Sequence, residues 1–204
     1  MEVQELSNSA IVGWFAEESQ QSKPRNAQMK GVVFTEFIEM VETLFSPDFA
    51  DQVIEAVTPR SGGAYTSVGT YDHQELVAMV IELSKLTGLA VPELLRRFGC
   101  HLLNSFVAQY PQLFTGYSDT FSFLEQVDGN IHTEVRKLYP DAELPRFETR
   151  RITEGEFEMI YTSKRRFEDL ALGLLEASIL HFNESITIAR SPGSDSTIFR
   201  LTRS

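Results

Sequence analysis

Apolar residues recur at three-and-four spacing through the first two thirds of this chain and alternate with polar ones only afterwards. Phe34, Phe37, Ile38, Val41, Leu44 and Phe45 fall on one helical face, so a helix is expected to begin near Met29-Lys30-Gly31. Pro47 to Val57 reads as a second, shorter helix, and Thr58-Pro59-Arg60-Ser61-Gly62-Gly63 as the loop that ends it. Asp72, with Glu75 three residues on, predicts a boxed helix start. Leu76, Met79, Val80, Leu83 and Leu86 supply that helix's stripe, and Gly88 its stop. Pro92 opens a further helix through Leu94, Leu95, Phe98, Leu102, Leu103 and Phe106 to near Pro111. Phe121, Phe123, Leu124 and Val127 continue the helical pattern until Asp128-Gly129-Asn130 interrupts it. A helix from His132 to Tyr139 follows.

The pattern then changes. Pro145 to Ser163 alternates like two strands around Thr153-Glu154-Gly155. A long apolar helix spans Phe167 to Phe182. Thr187 to Arg190 and Thr197 to Thr202 read as a last hairpin around Ser191-Pro192-Gly193-Ser194-Asp195. The predicted class is α+β: an N-terminal helical half, then a half with a small antiparallel sheet and helices. Residues 1–28 stand apart, with a polar stretch from Ser19 to Gln28 broken at Lys23-Pro24-Arg25-Asn26. They read as an extension before a 29–204 domain: a start upstream of the native one, a cloning remnant, or a short docking segment around Ile11, Trp14 and Phe15. An unassigned flexible tail is the default.

At 204 residues and 42% hydrophobic, the chain fits one domain with a sizeable core. Its fifteen Phe fit an aromatic-rich interior or a pocket for a flat apolar ligand. The net charge of -11 disfavours nucleic acid and anionic membrane as partners. Arg146, Arg150, Arg151, Lys164, Arg165 and Arg166 nevertheless make one region locally basic, either as solvated element ends or as a cradle for an anionic group. Cys100 is the single cysteine, so no intramolecular disulfide can form, which fits a reducing cytoplasm. It reads as a small buried residue. No run reaches membrane-spanning length, and Glu2 and Glu5 argue against a secretory signal.

Four histidines occur, His73, His101, His132 and His181, none spaced as HxxxH or HxxH, so a zinc site is poorly supported by the sequence. A lone histidine is usually a surface or core residue. His132 differs through its company. Twelve residues separate it from Pro145, and fifteen more separate Pro145 from Tyr161-Thr162-Ser163-Lys164-Arg165. A neutral imidazole can ligate haem iron. Tyr161, Ser163 and Arg165, at alternate positions of an expected strand, offer two hydroxyls and a planar cation to paired carboxylates.

This order and spacing resembles the haem–nitric oxide/oxygen binding (H-NOX) family, related to the haem domain of soluble guanylate cyclase. The runs Leu138-Tyr139-Pro140-Asp141-Ala142 and Leu172-Gly173-Leu174-Leu175-Glu176-Ala177 also match it, and the resemblance covers roughly Met29 to the C-terminus. It implies a domain whose halves enclose haem b, with His132 as the proximal iron ligand. Tyr161, Ser163 and Arg165 are then the clamp on the haem propionates, and Pro145 presses on the haem face. For Pro145 the plainer reading is a residue that starts a strand.

By the same resemblance, members that hold dioxygen carry a distal tyrosine in the helix after the Tyr-x-Ser-x-Arg motif, with polar support. The matching positions here are Leu170, Phe37 and Leu102, all apolar. Val33, Phe37, Leu102, Leu170 and Leu174 are therefore the expected pocket lining, although Val33 and Leu102 read almost as well as ordinary core. The implied activity is that of a cytoplasmic sensor, not an enzyme, binding nitric oxide and CO but not stably dioxygen. NO binding is expected to break the bond to His132 and leave five-coordinate iron. The signal would pass to a separate protein such as a bacterial histidine kinase, a cyclic-dinucleotide enzyme or a chemotaxis receptor. The cysteine-cluster zinc mechanism of some relatives is not expected, since the stretch from Phe182 to Ser204 has no cysteine. The alternative is a haem-free interaction module with the same fold. A haem enzyme is disfavoured, because the expected lining supplies no distal acid or base.

Overall fold

The structure, a computed structural model, describes residues 28–140 and 142–204. The expected docking segment around Ile11, Trp14 and Phe15 lies outside the described residues. Gln28, assigned to the extension from sequence, is the first residue of a strand.

Strand β1 (Gln28–Lys30) runs directly into helix α1 (Gly31–Leu44) and pairs antiparallel with β2 (Thr70–Asp72), Met29 opposite Tyr71. Between them lies α2 (Pro47–Val57). Ser46 caps α2 by accepting from the Phe49 N–H at 3.3 Å, and Pro47 occupies the first turn, where its missing donor costs nothing. Helix α3 (His73–Thr87) starts at Asp72, whose carboxylate accepts from the Gln74 N–H at 3.0 Å. It stops at Gly88, whose φ of 74° only glycine adopts cheaply. The expected box does not close here. Glu75 turns outward to the preceding loop, accepting from the Ser61 hydroxyl at 2.6 Å and the Tyr65 hydroxyl at 2.8 Å. Two hydroxyls that come to the carboxylate from the loop outcompete one backbone N–H.

Helix α4 (Val91–Gln109) is the longest and crosses α7 (Glu168–His181). Their backbones approach at two glycines. A side chain on Gly99 would run into the Leu170 carbonyl, and one on Gly173 into the Arg96 carbonyl. This is a physical reason for Gly173 within the apolar run of α7. Phe34, Phe37, Met40, Met79, Leu83, Leu94 and Phe98 are fully buried in the core of the helical half.

The second half begins with α5 (Thr120–Leu124), started by a capping box between Asp119 and Ser122, and α6 (His132–Leu138). The segment between them, expected to interrupt the helix, is a π-helical turn (Val127–Ile131). The carbonyl of Gln126 accepts from both Asn130 and Ile131, so an extra residue is absorbed without ending the helical path. Strands β3 (Arg146–Arg151), β4 (Glu156–Thr162), β5 (Ile186–Pro192) and β6 (Thr197–Arg203) form an antiparallel sheet in the order β3-β4-β6-β5. Alternate residues of β4 and β6 face inward, with Phe157 opposite Leu201 and Met159 opposite Phe199. They pack with Phe121 from α5 and Leu175 from α7 in a second core. The class is α+β as expected, with seven α-helices and two small antiparallel sheets among the described residues.

Candidate functional site

Between the two cores lies an apolar cavity walled by α1, α4 and α7 on one side and by the α5–α6 region and β3–β4 on the other. Its void, with the open mouth and adjoining solvent included, is about 1410 Å³. Val33, Leu102, Leu170 and Leu174 all line it, as do His132, Pro145, Tyr161, Ser163 and Arg165. Phe37 is the exception. Its ring is fully buried in the helical core, edge-on to Phe98 at 5.3 Å, and is not on the cavity wall.

His132 is placed by the π-helical turn. The ring is buried, with Nδ1 3.5 Å from Asp128 Oδ1. Asp128 is itself fixed, because the same oxygen accepts from the Phe147 N–H at 3.1 Å where β3 begins. With Nδ1 turned to Asp128, Nε2 on the opposite edge is the nitrogen available to a bound group. Burial holds the His132 imidazole below its ordinary pKa, against a smaller upward pull from Asp128, and so favours the neutral, ligating form. A carboxylate beside a ring N–H is also the usual outer partner of a metal-bound histidine. Sequence reading missed Asp128. The signal was its i−4 spacing to His132, hidden by the assumption that Asp128-Gly129-Asn130 breaks the helix.

The Tyr-x-Ser-x-Arg motif is built differently from the expected one-face strand. Only Tyr161 lies within β4, which ends at Thr162. Ser163 and Arg165 belong to the turn into α7, where Arg166 takes a positive φ of 52°. The Ser163 hydroxyl accepts from the Arg165 N–H at 3.2 Å and holds the turn. Tyr161 is buried, which pushes its hydroxyl pKa up. Its oxygen accepts from the Phe167 N–H at 3.1 Å, leaving its own O–H to donate. Arg165 is also buried, and burial lowers its pKa, partly offset by Glu143. Its guanidinium donates to the Glu143 carbonyl at 2.8 Å, the Glu143 carboxylate at 2.7 Å and the Gln28 carbonyl. Its Nε–H is buried with no partner. The Glu143 carboxylate, more than half exposed, lies where an anionic ligand group can compete for the same donors.

The opposite wall presents no such donors. Ser178 reaches the cavity, but its hydroxyl donates to the Leu174 carbonyl at 2.8 Å. Tyr139, at the end of α6 on the His132 side, also reaches the cavity, its hydroxyl paired with that of Tyr110 at 2.9 Å. A flat apolar macrocycle with two carboxylates at one edge fits this arrangement. Its faces would meet aliphatic and aromatic side chains, its metal a neutral imidazole, and its acids the Tyr161, Ser163 and Arg165 cluster.

Cys100, expected as a small buried residue, is half-buried, and its thiol donates to the Gly173 carbonyl at 3.3 Å. Burial raises its pKa, which disfavours the reactive thiolate.

Comparison with known proteins agrees with this geometry. The model of the haem-NO-binding family matches residues 30–190. An H-NOX protein from K. algicida, solved as the unliganded Fe(II) form, is 35% identical with a TM-score of 0.81, and the alignment covers 86% of this chain and 97% of that one. The Shewanella woodyi H-NOX, solved in solution in the Fe(II)CO state, is 39% identical with a TM-score of 0.75, covering 86% and 95%. The S. oneidensis H-NOX in the Fe(II)NO state, at 24% identity and a TM-score of 0.81 over 86% and 99%, shares the fold. Among curated proteins none matches. No helix among the described residues is long and apolar enough to cross a membrane. The chain belongs to the haem-NO-binding, or H-NOX, family.

Proposed function

We propose that residues 29–204 form a cytoplasmic haem-based gas sensor that binds nitric oxide and CO, does not hold dioxygen stably, and signals to a separate protein. The observation that carries this reading is the buried His132 on the wall of an apolar cavity whose opposite wall is lined by Val33, Leu102, Leu170 and Leu174.

Haem b, when bound, supplies a ferrous iron to which a diatomic gas ligates. His132 would hold that iron through Nε2, with Asp128 orienting the ring. Tyr161, Ser163 and Arg165 hold the propionates, each charge-assisted bond contributing about 1.5–3 kcal/mol. Pro145 and Phe147, which both line the cavity, would pack against the bound group. Val33, Leu102, Leu170 and Leu174 exclude water and donate nothing, which disfavours dioxygen, the gas that most needs a donor. Because His132 is the first residue of α6 and follows the π-helical turn, a change in how the ring is held would be passed to both. A partner that distinguishes the two states of the ring reads the signal. A histidine kinase, a cyclic-dinucleotide enzyme or a chemotaxis receptor would each suit that role.

The test is the absorption spectrum of reduced, haem-loaded protein without gas, with NO, and in air. A five-coordinate ferrous spectrum that shifts with NO to that of five-coordinate iron, with no oxy spectrum in air, is expected. A persistently six-coordinate NO spectrum sinks the switch, and a stable oxy spectrum sinks the selectivity. Failure to retain haem leaves the haem-free interaction module as the better reading.

A further inference from the structure

Between α1 and α4, one acidic side chain is buried without full pairing. Glu36 is only 4% exposed. It faces a stripe of α4 formed by His101, Ser105 and Gln109, one turn apart. Gln109 Nε2 donates to Glu36 Oε1 at 2.9 Å and to the Ser105 hydroxyl at 2.7 Å. Glu36 Oε2 is buried with no hydrogen bond, and so is Nε2 of His101. The two atoms face each other at 3.3 Å. A carboxylate oxygen facing an imidazole nitrogen at this distance needs a positive centre between them, and where the ring nitrogen presents its lone pair a metal ion can fill that place. Glu39, one turn along α1, is exposed, and one ligand atom from each of Glu36, Glu39 and His101 lies within 4.8 Å of the others.

We propose that Glu36, Glu39 and His101 form a binding site for a divalent transition-metal ion, zinc being the best match, that bridges α1 and α4. One imidazole nitrogen and two carboxylate oxygens suit zinc, whereas magnesium and calcium favour all-oxygen sites. Ligands about 2.1 Å from a tetrahedral ion lie roughly 3.4 Å apart, and Glu36 and His101 already stand at 3.3 Å. Glu39, free at the surface, completes the set by a side-chain rotation, and water takes the fourth position. Gln109 fixes the Glu36 carboxylate from behind, as outer partners of metal ligands do. The histidine spacings could not reveal this site, because its carboxylates come from a different helix. Val33 precedes Glu36 by one helical turn, and Leu102 follows His101 directly, and both line the cavity. A metal ion here ties together the two helices that carry them. The site does not depend on the haem reading.

The experiment is a zinc titration of tag-free, full-length protein against a chromophoric chelator, with and without haem. One zinc per chain is expected in both. His101→Gln and Glu39→Gln should each weaken binding by on the order of tenfold or more, and the double variant should lose it. Glu39 is exposed, so its variant tests the site with the fold intact. Zinc at about a hundredfold excess over Kd should raise the wild-type thermal midpoint by roughly 5–10 °C and leave the double variant unchanged. No saturable binding to the wild-type protein, or binding equal in both single variants, overturns the proposal. The second result would place the ion at another histidine.

Discussion

The two walls of the cavity differ in kind. The proximal wall carries His132, Asp128, Tyr161, Ser163 and Arg165, each fixed by a hydrogen bond or a close charged neighbour. The distal wall carries Val33, Leu102, Leu170 and Leu174, and the hydroxyl beside them on Ser178 is spent on a backbone carbonyl. The groups that would hold a prosthetic group are thus gathered on one side, and the side that would meet a gas is chemically silent. Holding and discriminating are separate tasks in this pocket, and substitutions should separate them.

The largest effect is expected at the proposed iron ligand. His132→Ala removes the only imidazole among the residues lining the cavity. The variant should purify without haem, while far-UV circular dichroism remains close to that of the parent. Retention of haem with an unchanged ferrous spectrum would dissolve the contrast between the walls.

The distal wall is held by packing. Gly173 lies one residue before Leu174, and a Cβ there meets the Arg96 carbonyl of α4. Gly173→Ala gains up to about 1 kcal/mol of helix propensity, but separating two packed backbones should cost more, leaving a net loss of about 2 kcal/mol. A fall in thermal midpoint, with Leu170 and Leu174 displaced, is the expected outcome. An unchanged midpoint would mean that the α4–α7 crossing is looser than it looks.

Arg165→Ala should speed haem transfer to a scavenger protein by roughly 10- to 100-fold, the equivalent of one charge-assisted bond. Arg165→Lys should restore little, because a point charge cannot reproduce the fork. Equal rates in all three proteins would remove Arg165 from the clamp. A smaller, subtler change is expected for Asp128→Asn. The amide oxygen still accepts from Phe147, but the negative charge beside His132 is gone, so haem affinity should fall by about tenfold with stability nearly constant.

Punctuation residues made most helix limits legible in the sequence. Pro47, Gly88 and Pro92 each stand where the chain starts or stops a helix. What stayed hidden depended on partners remote in sequence. The role of Asp128 requires the Phe147 N–H from β3. Glu75 leaves its expected box because Ser61 and Tyr65 come within reach. Ser163 and Arg165 leave the strand because the chain turns at Arg166, and residue type alone does not announce a positive φ on arginine. Phe37 and Val33 share one apolar stripe of α1, and periodicity cannot say which of them meets Phe98 and which meets a cavity. The Glu36–His101 pair was beyond reach for the same reason, since it exists only where two helices meet.

The distal wall is tested most sharply by adding what it lacks. Leu170→Tyr places a hydroxyl on the first turn of α7, at a position that lines the cavity from the side opposite His132. One neutral hydrogen bond contributes only about 0.5–1.5 kcal/mol net, so dioxygen retention should rise about 2- to 12-fold and remain partial. The NO and CO spectra should hardly move, because those ligands need the donor less. The tyrosine must find room among Leu102, Leu170's other neighbours and Leu174, so Leu170→Phe is the proper control. It adds the ring without the donor. If the phenylalanine variant retains dioxygen equally well, shape rather than hydrogen bonding sets the choice of gas. If neither variant retains it, an apolar wall is not what excludes dioxygen, and the proximal side must weaken its binding through the way His132 holds the iron.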